Sequence, residues 1–146
     1  MTDTVVFLLG KLGQLATNRF ADRLAPLGLR PRHCGVLELL RVAPMAQLDL
    51  ARRLDVAASV IVDMLDQLEA VGAVRRTRDV ADRRRQLVEL TPEGESLSRQ
   101  AAHLARRVDA ELLATLEPGH AASARDVLGR LAVAHGIPTD AAAGPR

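Results

Sequence analysis

Hydrophobic residues recur at helical spacing along most of this chain, and the pattern breaks only at proline, at glycine and in one arginine-rich stretch. Val5, Leu8, Leu9, Leu12, Leu15, Ala16 and Phe20 place one apolar face along about five turns of a first helix. Pro26 and Gly28 end it, and Pro31 opens a second helix that turns Val36, Leu37 and Leu40 inward. After Pro44 comes a short third helix with Leu50, Ala51 and Leu54 inside. A fourth runs from Ala57 to Val71, and its Ile61, Met64, Leu65 and Leu68 form a single stripe. Its opposite face presents Ala58, Ser59, Val62, Asp63 and Asp66.

Gly72 stops the fourth helix, and two short extended segments follow. Thr91 is a good N-cap for a long fifth helix, with Pro92 at its first position and Glu93 and Glu95 complementing the helix dipole. Leu97, Ala101, Leu104, Val108 and Leu112 face inward along it. Pro118 and Gly119 break the pattern before a last helix carrying Ala124, Val127, Leu128 and Leu131. The expected fold class is mainly α with a small two- or three-stranded β wing. In the middle, a turn between Leu54 and Ala58 joins a short helix to a longer one, and such a pair can lay its second helix in a DNA major groove. The first and last helices are too long and apolar for that small core to cover, so they are expected to pack together and against a second copy. The partition is a winged helix-turn-helix lobe at 29–91, dimerisation helices at 1–25 and 92–137, and a flexible tail at 138–146.

Charge sharpens this picture. Between Arg75 and Arg85, six arginines against Asp79 and Asp82 give +4, whereas the whole chain is only +2. The rest of the chain is therefore net negative, and the positive charge sits on one hairpin beside a helix, as a polyanion-binding surface requires. There is no Trp or Tyr and only two Phe, so platforms for stacking single-stranded bases are missing and duplex DNA is the better polyanion. Nineteen of the twenty basic residues are arginine, which weakens the charge argument, because base composition of the genome can produce the same bias.

Other classes find little support. The N-terminal apolar run lacks a basic leader and a cleavage site. No stretch approaches the roughly 18 apolar residues of a membrane span. Cys34 is the single cysteine, so no internal disulfide is possible and a cytoplasmic protein is expected. His33, His103, His120 and His135 form no HExxH, and there is no Gly-rich phosphate loop or serine elbow. An enzyme is not expected, nor is a metal or cofactor.

The run LDLARRLDVAASVIVDMLDQLEAVGAVRR, followed by DVADRRRQLVELTPEG, resembles the MarR family of bacterial transcriptional regulators. The likeness extends from the Leu27-Gly28-Leu29-Arg30-Pro31 turn through the last helix. Its most specific part is Asp82-Arg83-Arg84 followed by Leu90-Thr91-Pro92-Glu93-Gly94. The resemblance implies a homodimeric winged-helix protein on a pseudo-palindromic duplex, often a repressor released by a small phenolic or anionic effector. It makes 58–71 the recognition helix and puts Arg83 or Arg84 of the wing at the minor groove. It also pairs Asp66 with Arg76 as a structural link between recognition helix and wing.

Physically, a narrow minor groove attracts an arginine on a loop without base contact, and Asp82 can orient Arg84. The chain also departs from the family it resembles: three helix starts that usually carry Ser or Thr there have Arg30, Ala46 and Ala57, each lost cap costing roughly 1 kcal/mol. Backbone N–H groups, Arg32 and Gln47 are then left to hold phosphates. Asp63 can accept from a cytosine amino group or repel phosphates, and Val62 can touch a thymine methyl. The candidate DNA-facing set is Arg32, Gln47, Ala58, Ser59, Val62, Asp63, Gln67, Arg78, Arg83, Arg84 and Arg85. Arg19, Phe20 and His33 are candidates for a ligand cleft, against a capped or exposed histidine. Arg30, Arg32, His33 and a helix N-terminus could lower the Cys34 pKa for redox sensing, against a plain packing role. A weakly specific winged-helix dimer acting through a protein partner remains the other alternative.

Overall fold

The computed structural model describes residues 2–78 and 86–137. These form α1 (Val5–Leu24), α2 (Pro31–Val42), β1 (Met45–Ala46), α3 (Gln47–Arg53), α4 (Ala58–Ala70), β2 (Val74–Arg78), β3 (Gln86–Leu90), α5 (Pro92–Leu113) and α6 (Pro118–Ala134), with a single 3-10 turn at Ala25–Leu27. By contact the chain groups into two units, Met1–Val108 and Asp109–Arg146.

In the first unit α2, α3 and α4 enclose the core with the sheet. Val36, Leu37 and Leu40 of α2, Leu50 and Ala51 of α3, and Ile61, Met64, Leu65 and Leu68 of α4 are all buried, as their spacing predicts. The four side chains of the α4 stripe contribute on the order of 2 kcal/mol each and leave its other face to solvent. The link from α3 to α4 is a left-handed turn at Asp55, φ 52°. Asp55 N–H donates to the Arg52 carbonyl at 3.3 Å and Val56 N–H to that of Ala51 at 3.0 Å. This pairing closes a helix C-terminus, and aspartate is among the few non-glycine residues that accept such a backbone.

Gly72, at φ 72°, ends α4 in the same way. Its N–H reaches the Glu69 carbonyl at 2.9 Å and the Ala73 N–H reaches that of Leu68 at 2.9 Å. The chain then enters β2, and the antiparallel sheet has the order β1, β3, β2. Arg75 faces Glu89, Arg76 faces Val88 and Arg78 faces Gln86 across β2 and β3, while Met45 faces Val88 from β1. Two residues are too few to show a periodicity, so only pairing with β3 identifies β1.

Thr91 caps α5 as expected. Its Oγ1 accepts the Gly94 N–H at 2.9 Å and donates toward the Gly72 and Ala73 carbonyls. Leu97, Ala101 and Val108 are buried, whereas Leu104 and Leu112 are half-buried.

The two outer helices keep most of their apolar residues outside this core. In α1 only Leu24 is buried. Phe20 packs partly against the core, and Val5, Leu8, Leu9, Leu12 and Leu15 are exposed. The core is reached only by the C-terminal end of α1, so the rest of its apolar face lies uncovered. In the second unit no residue of α6 is buried: Ala124 is half-buried, and Val127, Leu128 and Leu131 are exposed. No helix of the described residues is long and apolar enough to cross a membrane.

Candidate nucleic-acid interface

The outer face of α4 carries Ala58, Ser59, Val62 and Asp63, all exposed, with Gln67 half-buried one turn beyond Asp63. α4 can hold this face outward because its opposite stripe is anchored in the core. Its N-terminus is uncapped by any side chain, as are those of α2 and α3 at Arg30 and Ala46. For α2 the lost cap is offset from within: the Arg30 N–H donates to His33 Nδ1 at 3.1 Å. His33 stands where a capping box has Glu or Gln, and it supplies the acceptor half of that motif.

That bond decides the rest of the site. With Nδ1 accepting, the neutral ring carries its proton on Nε2, which donates to Gln67 Oε1 at 3.2 Å. Gln67 Oε1 also accepts from Arg32 Nη2 at 3.0 Å, so its amide nitrogen points the other way and donates to Asp63 Oδ2 at 2.9 Å. Arg32 Nη2 meets the same Asp63 oxygen at 2.9 Å. The four side chains thus tie the start of α2 to the outer face of α4. Burial, at 1% exposure, holds the His33 imidazole below its ordinary value; the Arg32 and Arg30 charges act in the same direction, against the bond to Gln67.

His33 is therefore neither exposed nor free to face a ligand cleft. Of its two readings it is the capping histidine, with both ring nitrogens bonded, while Arg19 is exposed on α1 and Phe20 leans on the core. A groove of the first unit lies between the end of α1 with its 3-10 turn and the first half of α5. It measures about 510 Å³ and is lined by Arg23, Pro26, Leu27, Ser96, Arg99, Gln100, His103 and Leu104.

Of its two readings, Cys34 takes the packing role. Burial and the Glu38 carboxylate push its thiol up to about 11 instead of lowering it. The lone thiol packs against the core, and the thiolate that redox sensing requires is suppressed.

At the wing, Arg76 of β2 bridges two carboxylates of α4, Asp66 and Glu69. The Asp66 pairing follows the resemblance. Glu69 was missed, although its place one turn after Asp66 puts both on one face. Arg75 pairs with Glu89 across the strands at 3.1 Å and holds that carboxyl below the usual range. Arg78 is exposed at the end of β2 and Gln47 is half-buried at the first position of α3. Arg83, Arg84 and Arg85, with Asp82, lie outside the described residues. Among the described residues no cluster of His, Cys, Asp and Glu could hold a metal ion.

Comparison with known proteins gives this arrangement its context. The MarR family model matches residues 35–85. The HTH-type transcriptional repressor Rv2887 of Mycobacterium tuberculosis is 32% identical over 111 residues, 75% of this chain and 80% of the relative. Its crystal structure in complex with salicylic acid superposes with a TM-score of 0.71 at 28% identity, covering 90% of this chain and 99% of that one. The transcriptional repressor CouR, from Rhodococcus jostii, was solved on a 23-mer DNA duplex. It gives a TM-score of 0.75 at 28% identity, over 90% of this chain and 94% of that one. With helix-turn-helix, wing and Thr91-capped α5 in place, the chain belongs to the MarR family of transcriptional regulators.

Proposed function

We propose that this regulator works as a homodimer that places α4 of each copy in successive major grooves of a pseudo-palindromic duplex, with the wing arginines toward the flanking minor grooves. The observation that carries this reading is the solvent-facing strip of Ser59, Val62 and Asp63 on a helix whose other face is locked into the core. Arg76 ties the first strand of the wing to the same helix through Asp66 and Glu69. The lobe at 29–91 is the DNA-binding part. The exposed apolar residues of α1 and those of α6 each suit burial against a second copy, which makes 1–25 and 92–137 the dimerisation segments.

Release by a small amphipathic anion fits the groove beside α5. Arg23 and Arg99 offer positive charge and His103 a ring N–H beside Leu27 and Leu104, and about 510 Å³ suits a small aromatic acid. The salicylic acid bound by the mycobacterial relative has that chemistry. An occupant differing in affinity between two dimer geometries would change the spacing of the two α4 helices.

The test is fluorescence anisotropy on the intergenic duplex beside the protein's own gene and on a scrambled duplex, across a salt series. Preference for the native duplex, with a slope implying several phosphate contacts, is expected. Equal weak binding to both would overturn base-specific recognition at that site.

A further inference from the structure

We propose that Arg32 and Asp63 form an exchangeable clamp that makes Asp63 the specificity-determining residue of the α4 reading face, a proposal that rests on that face meeting DNA. The pair joins two helices across 31 positions of sequence at 2.9 Å, and both ends remain open to solvent, with side-chain exposures of 38% and 59%. Gln67 sets the geometry. Its carbonyl takes one hydrogen bond from buried His33 and one from Arg32, which leaves its amide nitrogen for Asp63. A buried imidazole therefore fixes the orientation of a surface carboxylate through one intervening amide.

In the free protein the clamp neutralises itself. A solvent-exposed ion pair is weak, so a DNA phosphate can take the Arg32 guanidinium from Asp63. Arg32 is the second residue of α2, where backbone N–H groups add to its hold on an anion. The exchange leaves the Asp63 carboxylate inside a groove lined by phosphates, with only the Gln67 amide to answer it. On a non-cognate sequence that charge is uncompensated and opposes binding. Where a cytosine amino group, or an adenine one, faces Asp63, the base supplies the missing donor. Asp63 thus penalises wrong sequences as much as it favours the right one.

The experiment begins with wild-type protein selecting from a library of random-sequence duplexes. Affinities of wild type, Asp63→Ala and Arg32→Ala are then measured on the selected duplex and on a scrambled one across a salt series, with far-UV circular dichroism to confirm folding. Asp63→Ala is expected to bind the scrambled duplex more tightly and to lose about tenfold or more in discrimination, with preference relaxed at one symmetric position of each half-site. Its salt slope should stay that of wild type, since Arg32 holds a phosphate in both complexes, whereas Arg32→Ala weakens binding to both duplexes and flattens the slope. If wild type selects a sequence but Asp63→Ala keeps the same discrimination, or Arg32→Ala keeps the wild-type slope, the clamp is overturned and DNA recognition stands. If wild type enriches no sequence, the reading of the α4 face fails first and the clamp with it.

Discussion

Gly94 lies so close to Ala73 that a Cβ added at Gly94 would stand 2.0 Å from the Ala73 carbonyl oxygen. The same carbonyl accepts the Thr91 N–H at 3.1 Å, so it cannot move away without giving up the start of α5. Gly94→Ala should therefore destabilise the protein by about 3 kcal/mol, the upper range for overpacking a tight contact. A urea unfolding midpoint unchanged from wild type would show that the contact is not needed.

Arg76 is the hinge pin between α4 and the wing. Its pairs are with carboxylates 60% and 43% exposed, so Arg76→Ala should cost about 1 kcal/mol or less in stability. DNA affinity should fall by more than that, because the wing loses its fixed angle to α4. Asp66→Asn should act more mildly, since Glu69 keeps its hold. Equal DNA affinity for Arg76→Ala and wild type would remove Arg76 from any role in recognition.

His33 gives the fold an acid-sensitive component. The unfolded chain binds a proton near the ordinary histidine value of about 6.5, whereas the buried ring, accepting the Arg30 N–H on Nδ1, does so only at lower pH. Unfolding takes up the proton, so this contribution is fully present above about pH 6.5 and is lost as pH falls below it toward the folded value. His33→Gln, which can accept the Arg30 N–H and donate to Gln67, should flatten the dependence of melting temperature on pH in that window. A variant with the wild-type pH profile would rule the assignment out.

Cys34 should be sluggish toward electrophiles. A thiol at about 11 has on the order of a hundredfold less thiolate at neutral pH than an ordinary cysteine. Reaction with Ellman's reagent in the native state should be slower than that of free cysteine by a comparable factor, and peroxide treatment should leave DNA affinity unchanged. Rapid labelling would restore the redox reading.

Arg84→Ala should weaken binding to a cognate duplex by about tenfold or more while leaving the dimer intact by size-exclusion chromatography. Unchanged affinity would sink the assignment of Arg84 to the minor groove.

Much of the candidate site was legible because it rests on local rules. The α4 stripe of Ile61, Met64, Leu65 and Leu68 follows from helical spacing, the outward strip of Ser59, Val62 and Asp63 is its complement, and Thr91 announces itself as a cap. Arg32 and Asp63 were also picked out, each as a group acting alone on DNA. Their pairing was not, since no local rule links positions so far apart in sequence.

Sequence by itself determined the order of helices, their inner faces, the arginine-rich hairpin and the membership of the family, because spacing, turn residues and caps act within a few positions of one another. Tertiary structure alone decided which of these groups spend their charge on each other. It chose the buried, capping role for His33 and the packing role for Cys34, added Glu69 to the wing anchor and required glycine at position 94. Each of those outcomes depends on distances between elements remote in the chain, and burial and Coulomb energies are fixed only once those distances exist.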